Sequence, residues 1–400
     1  QQTLSTEIDA MRDAGTLKGE ETVTTGVVPA SGGRGPRFRI EGREQAFLKM
    51  NSNGYLGLSL DPELIAAEER AAQRYGVGPG AVRFISGTMR PHVALERRLA
   101  AFHDRQAGMI FSSAYATTLG VLVPLITPET IVLSDALNHN CIINAMRLAR
   151  PAAKAVYRHL DLKHLDELLS AAEDEHRRAI VVTDGIFSMR GDHAPLDRIA
   201  DIVRRYDGDF ADNAILVVDD SHGVGAFGET GRGTEEVCGA RADLLIATLG
   251  KALGVNGGYV VGEETVLDYL RETAPLYVYS NPITASEAAA ALTAVDILDS
   301  ERGRALLTHL REMTRRFEQG LVDLGFETIP GEHPVVPLMV RDTARTAALV
   351  AHLEENGVLA TGLAYPVVPR GDEEIRFQIS AAHTRQDIDE VLDVLASFED

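Results

Sequence analysis

The chain is poor in cysteine and in positive charge, and it has no long apolar run. Its two cysteines, Cys141 and Cys238, form no CxxC pair and no metal-ligand spacing. No disulfide framework and no metal site is expected, and each thiol reads as a small buried hydrophobe in a reducing, cytoplasmic setting. Basic residues number 39 against 59 acidic ones, a net charge of −20, which argues against general binding of nucleic acid or of an anionic membrane. No stretch approaches the roughly 20 apolar residues of a membrane-spanning helix. The polar, acidic N-terminus resembles neither a signal nor a transit peptide, and there is no internal repeat or low-complexity block. What is present is 400 residues with 45% hydrophobic and 24% charged content. Such a chain can bury substantial cores and divide into two or three domains.

From residue 61 the pattern alternates. Short apolar runs at 109–111, 130–133, 153–157, 179–183, 214–219, 244–248 and 258–261 read as strands. Amphipathic segments such as 62–75, 92–103, 140–148, 162–172 and 196–206 read as helices, the first opened by Pro62 after Asp61. This alternation predicts an α/β fold with a mainly parallel sheet covered by helices. After residue 283, helices at 285–298 and 304–324 precede a smaller α/β unit with strands near 335–340, 358–361 and 375–379. The expected division is an N-terminal segment 1–60, a large domain 61–283 and a small C-terminal domain 284–400. Before residue 61, a surface helix within 1–25, a loop over 27–37 and a hairpin over 38–50 are expected.

Ligands of parallel sheets collect at the carboxyl ends of the strands. Five polar clusters fall there: 112–115, 135–139, 184–188, 219–222 and 248–251. Lys251 lies between glycines just past an apolar strand, a position poorly explained by helix or sheet chemistry but suited to a Schiff-base lysine. Asp219 closes a hydrophobic strand and can pair with a protonated ring nitrogen, and His222 follows three residues later. Read singly, the Asp-Asp-Ser run is an ordinary turn or helix cap and the histidine structural. Ser112, Ser113, Ala114 and Tyr115 lie between a strand and a possible helix, where amides point at an anion. Thr248 adds a hydroxyl. Arg376, on a strand, has the planar fork that matches a carboxylate. Together these residues point to pyridoxal phosphate chemistry.

Nine ordered blocks carry a resemblance: NGYLGL (53–58), VRFISGT (82–88), SDALNH (134–139), TDGIFSM (183–189), VDDSHGVGAFGETGRG (218–233), TLGKALG (248–254), YSN (279–281), YPVVPRG (365–371) and IRFQISAAHT (375–384). With them the chain resembles the α-oxoamine synthases, acyltransferases of fold type I that use pyridoxal 5′-phosphate, and most closely their glycine-using acetyltransferase branch. The resemblance implies a large domain with a small C-terminal α/β domain, and a homodimer with shared active sites. It implies that Lys251 carries the cofactor as an aldimine and then acts as base, that Asp219 pairs with the ring nitrogen, and that His222 contacts the phenolic oxygen. His139 would stack on the ring and Ser188 would sit beside it. Amides at Ala114 and Tyr115, with Ser113 and Thr248, would bind the phosphate, helped by Tyr279 and Ser280 reaching across to the partner subunit. Asn53 and Arg376 would hold the amino-acid carboxylate, and Val82 would line its pocket.

The implied reaction condenses a small amino acid, glycine favoured, with acetyl-CoA or another acyl-CoA by way of a quinonoid, forming a carbon–carbon bond and releasing thiol. Departures from the family pattern at Gly54, Arg190, 116–118 and Pro282, and in the 254–257 turn, bear on substrate choice. A relative that takes alanine or serine with a longer acyl-CoA or an acyl carrier protein is the alternative within the family. A fold-type I aminotransferase or aldolase would share Lys251 and Asp219 but not the His139, HGVGAFGETGRG and SAAHT blocks. A non-enzymatic cofactor-binding module would not need the complete catalytic set.

Overall fold

The structure is a computed structural model describing every residue except Gly15, Lys18, Gly19, Pro366 and Asp400. Pro366, in the YPVVPRG block, therefore lies outside the described residues. Contacts divide the chain into two compact units, one of residues 53–311 and one of residues 1–52 with 312–400. These boundaries differ from those expected at 60 and 283. The helix Ala285–Leu298 packs on the helices Pro62–Tyr75 and Arg90–Phe102 and so lies in the larger unit. Its alanine-rich stretch, with Ala288, Ala290, Ala291 and Ala294 buried, permits this close approach. The N-terminal segment is not a unit of its own, because Ala46–Lys49 pairs in parallel with Val358–Leu359. The long helix, expected at 304–324 and observed as Glu301–Asp323, runs through the boundary at 311/312.

The larger unit is built on seven strands in the order Ala107–Phe111, Gly258–Gly262, Leu244–Thr248, Ala214–Asp219, Arg178–Asp184, Thr130–Asp135 and Ala153–Tyr157. Gly258–Gly262 alone runs antiparallel to its neighbours, and the other pairings are parallel. The central strands are buried along nearly their whole length. That is why they read as continuous apolar runs rather than alternating ones. Helices cover them through one apolar stripe each. In Leu196–Tyr206 the stripe is Leu196, Ile199, Ala200, Ile202 and Val203. Helix starts follow capping chemistry: Asp61 accepts from the Glu63 amide with Pro62 in the first turn, and Thr284 and Glu287 form a capping box.

In the other unit, Thr24–Val28, Arg37–Ile40 and Ala46–Lys49 form an antiparallel meander, and a second sheet runs Glu327–Thr328, Val335–Met339, Glu374–Gln378, Thr361–Leu363. The expected 38–50 hairpin is present. Residues 27–28, expected in a loop, instead close an exposed edge strand held by backbone pairing, and Thr24–Val28 buries no side chain fully, so no apolar period marked it. Gln2–Asp13 is an exposed helix with no buried residue. No described helix is long and apolar enough to cross a membrane.

One glycine decides how the main sheet meets its helices. A Cβ on Gly258 would lie 2.4 Å from both Cα and N of Ala114, so the bare backbone lets the start of the Ala114–Leu125 helix rest on the sheet. Gly258→Val is expected to lower the unfolding midpoint in urea, with a loss of about 2–3 kcal/mol from overpacking, whereas Gly208→Ala, at an open position, should leave it within about 0.5 kcal/mol.

Candidate active site

Five strand ends of the large sheet and the segments that follow them surround one cavity. Ala114, Tyr115, His139, Asp184, Ser188, Asp219, His222 and Lys251 line it, together with Cys141, Ile186 and Ser221. The parallel ladder sets Asp184 and Asp219 as direct register partners, which puts both side chains on one face of the sheet.

Asp219 is held on both oxygens. Its Oδ1 accepts from the Ser221 amide at 3.1 Å, and its Oδ2 accepts from the Thr118 hydroxyl at 3.0 Å, with the Cys141 thiol 3.7 Å away. Asp184 accepts the His139 backbone N–H at 2.9 Å and donates its own to Asn138 Oδ1 at 2.9 Å. Asn138 in turn donates to Ser134 Oγ and to the Val182 carbonyl, both at 2.8 Å, tying two neighbouring strand ends together. Burial and the adjacent Asp219 charge raise the Asp184 carboxyl well above the usual range, against the pull of the His139 amide and Lys251. Two like charges on registered residues cannot both be ionised cheaply.

His139 caps the Asn140–Ala149 helix, its Nδ1 accepting from the Cys141 amide at 3.3 Å with the Cys141 Sγ at 3.0 Å. A backbone amide only donates, so the ring hydrogen of neutral His139 sits on Nε2. Burial and Lys251 lower its pKa against the Asp219 charge. Lys251 lies in a turn closed by Gly254 N–H to Lys251 O at 3.0 Å. Thr248 donates to the Gly257 carbonyl and accepts from the Gly250 amide, so its hydroxyl also braces this turn. Ser113 caps the Ala114–Leu125 helix by accepting from the Ala116 amide, leaving the first amides of that helix beside the cavity.

Asp220, behind Asp219, is fully buried and receives the Thr234 amide and hydroxyl, each at 2.7 Å. Burial lifts its pKa to about 7. The loop carrying Ser188 is clipped by His159, which contacts Asp135 through Nδ1 at 2.8 Å and Asp192 through Nε2 at 3.1 Å.

Of the residues expected from the sequence, Ala114, Tyr115, His139, Ser188, Asp219, His222 and Lys251 come together around the cavity, with Ser113 and Thr248 bracing its rim. Asn53 reaches His222 through Tyr55, whose hydroxyl is 2.7 Å from His222 Nδ1 and 3.3 Å from Asn53 Oδ1. Val82, Tyr279 and Ser280 do not line the cavity; Tyr279 is 79% exposed. Arg376 belongs to the other unit, where turning the Gln378 amide over puts its oxygen 2.7 Å from Arg376 Nε and 3.0 Å from Nη2. Sequence reasoning missed Thr118, Cys141, Tyr55 and His159, and it placed Asp184 at a strand end without a task. A period of four from Ala114 to Thr118 was the one signal available for Thr118.

The chain is similar to known proteins over nearly its whole length. A family model described as aminotransferase class I and II matches residues 45–395. The human mitochondrial 2-amino-3-ketobutyrate coenzyme A ligase is 38% identical over 389 residues, 96% of this chain and 89% of that protein. An 8-amino-7-oxononanoate synthase of Exiguobacterium sibiricum is 38% identical over 392 residues, 98% of this chain and 96% of that protein. Among solved structures, the Sphingomonas wittichii serine palmitoyltransferase superposes with a TM-score of 0.89 at 28% identity, over 99% of this chain and 96% of that one. A structure described as SPT with PLP internal aldimine gives 0.88 at 25% identity, with coverage of 99% and 96%. The chain belongs to the aminotransferase class I and II family, in its α-oxoamine synthase branch.

The residues present fit pyridoxal phosphate. A lysine amine, a twice-braced carboxylate and open helix amides share one cavity, and the Ser221 Oγ is buried there with no hydrogen-bond partner, an orphan that a ligand oxygen would satisfy.

The His159 clip makes a pH prediction. Burial lowers its pKa, but the hydrogen bonds and charges of Asp135 and Asp192 outweigh this and push it up to about 9. The clip therefore stabilises fully below the unfolded value near 6.5 and loses its contribution as pH rises through 9. Urea unfolding should show on the order of 2 kcal/mol less stability for His159→Gln at pH 6, a gap that closes by pH 10.

Proposed function

We propose that the protein condenses glycine with acetyl-CoA or another short acyl-CoA, releasing free thiol, as a pyridoxal phosphate-dependent acyltransferase. One observation carries this reading: Lys251, Asp219, His139 and the open amides of the Ala114–Leu125 helix converge on a single cavity. When bound, pyridoxal phosphate supplies an electron sink that stabilises negative charge at the α-carbon of the amino acid. The helix amides at Ala114 and Tyr115, with Thr248, would hold its phosphate. Asp219, fixed by Thr118 and Ser221, would accept from its protonated ring nitrogen. His222, His139 and Ser188, which line the same cavity, would hold the phenolic oxygen and the ring. Lys251 Nζ removes the α-proton of the amino acid. Asn53 and Arg376 hold the carboxylate, and Val82 borders the amino-acid pocket.

A homodimer completes the site in this reading, with Tyr279 and Ser280 reaching the partner's phosphate. Supporting it, Phe84 and Ile85 are 66% and 65% exposed beside Tyr279 at 79%, on segments that pack together. Their neighbour Arg83 is pinned by two 3.1 Å hydrogen bonds to Glu96. Exposed apolar side chains on a rigid base mark an interaction surface. A cytoplasmic location goes with the two free cysteines.

A second reading is favoured by the even similarity to the coenzyme A ligases and the oxononanoate synthases, at 38% each: alanine or serine as acceptor, with a longer acyl-CoA or a carrier-protein thioester. Absorbance titration of the holoenzyme with glycine, L-alanine and L-serine, followed by acetyl-CoA with a thiol reagent, separates the two. A response to glycine with stoichiometric thiol release is expected, and binding of alanine or serine alone would replace glycine. Borohydride reduction should leave a phosphopyridoxyl group on the Lys251 peptide, and Lys251→Ala should abolish both label and thiol release. Sedimentation of the wild type should give a dimer, which Phe84→Asp with Ile85→Asp weakens at least tenfold.

A further inference from the structure

We propose that Tyr55 is a positioning residue that joins the Asn53 amide to the His222 imidazole through a single hydroxyl, so that a carboxylate bound at Asn53 is registered at His222. The inference rests on the reading above, in which Asn53 takes the amino-acid carboxylate and His222 faces the cofactor. Its physical basis is independent of that reading.

Tyr55 is fully buried, at 0% exposure. Its hydroxyl lies 2.7 Å from His222 Nδ1 and 3.3 Å from Asn53 Oδ1. The two rings are 6.1 Å apart at 56°, so they meet through the hydroxyl edge and not by stacking. A hydroxyl has one proton to donate and lone pairs to accept, whereas an amide oxygen only accepts. With the Asn53 oxygen turned toward Tyr55, as in the structure, His222 Nδ1–H donates to the Tyr55 oxygen and the Tyr55 proton goes to Asn53 Oδ1. The reverse assignment would face two oxygen lone pairs across 3.3 Å.

Two consequences follow. The Asn53 amide is locked with its oxygen toward Tyr55, which leaves its NH₂ group to donate to a carboxylate. His222 carries its hydrogen on Nδ1 in the resting protein, and any pull on the Asn53 amide reaches that nitrogen through one shared hydroxyl. The backbone holds the relay in place. Tyr55 N–H bonds to the Asn53 carbonyl and Gly57 N–H to the Gly54 carbonyl, each at 2.9 Å. Gly254, at φ +71°, lets the Ser59 backbone come within 2.5 Å of where its Cβ would be, seating this loop on the turn that carries Lys251.

The test compares wild type, Tyr55→Phe and Asn53→Asp. Phenylalanine keeps the buried shape and removes only the hydroxyl. Aspartate keeps an acceptor for Tyr55 and loses the donor to a carboxylate. Nitrogen-15 spectra of histidine-labelled apoprotein, with the His222 signals assigned by their loss in His222→Gln, should show Nδ1–H in wild type and in Asn53→Asp, and a shift toward Nε2–H in Tyr55→Phe. In the holoenzyme, absorbance titration of Tyr55→Phe should show about tenfold weaker binding of the amino acid that wild type takes up best. Methylamine, which lacks the carboxylate, should bind within twofold of wild type. Nε2–H in wild type, an unchanged tautomer in Tyr55→Phe, a shifted one in Asn53→Asp, or equal weakening of amino acid and methylamine would each overturn the relay. A wild-type holoenzyme blind to every amino acid would instead sink the proposed function, and the apoprotein spectra would still decide the relay.

Discussion

Everything at the site depends on the crowding of carboxylates at the ends of adjacent parallel strands. Asp135, Asp184 and Asp219 end three neighbouring strands and are all buried. A buried carboxylate must be neutralised, paired or hydrogen-bonded, and each of the three meets that demand differently. Asp135 takes His159, Asp184 accepts the His139 amide with its carboxyl pKa raised, and Asp219 accepts from Ser221 and Thr118. Of the three, Asp184 and Asp219 line the cavity.

The braces around these acids also aim the neighbouring groups. The Asp184 contact fixes the His139 backbone, the Cys141 amide fixes its tautomer, and the His159 clip anchors the Ser188 loop. These supports come from different helices and loops, so the cavity is preorganised by the sheet and not by any single motif. Gly258 and Gly254 serve the same end by letting the Ala114–Leu125 helix and the Tyr55 loop approach closely.

The strands at 153–157, 214–219 and 244–248 and the helices at 62–75, 162–172, 196–206 and 285–298 were legible to the residue. The strands 214–219 and 244–248 are nearly continuous apolar runs, and the helices 62–75, 162–172 and 196–206 show one apolar face. The Thr24–Val28 strand was not legible, because an exposed edge strand carries no burial pattern. The grouping of residues 1–52 with the C-terminal region was hidden for another reason: it depends on a parallel pairing between segments some 300 residues apart.

The sequence by itself determined the alternating α/β architecture and the clustering of Lys251, Asp219, His222, His139 and Ser188 at strand ends, because local periodicity and turn chemistry are written in adjacent residues. Only the tertiary structure decided what holds those residues in working geometry: Thr118 on Asp219, Asp184 on His139, His159 across Asp135 and Asp192, and Tyr55 between Asn53 and His222. Apart from Tyr55–Asn53, each of these contacts joins separate elements of the chain, and hydrogen-bond partners that only folding brings together leave no spacing pattern in the sequence.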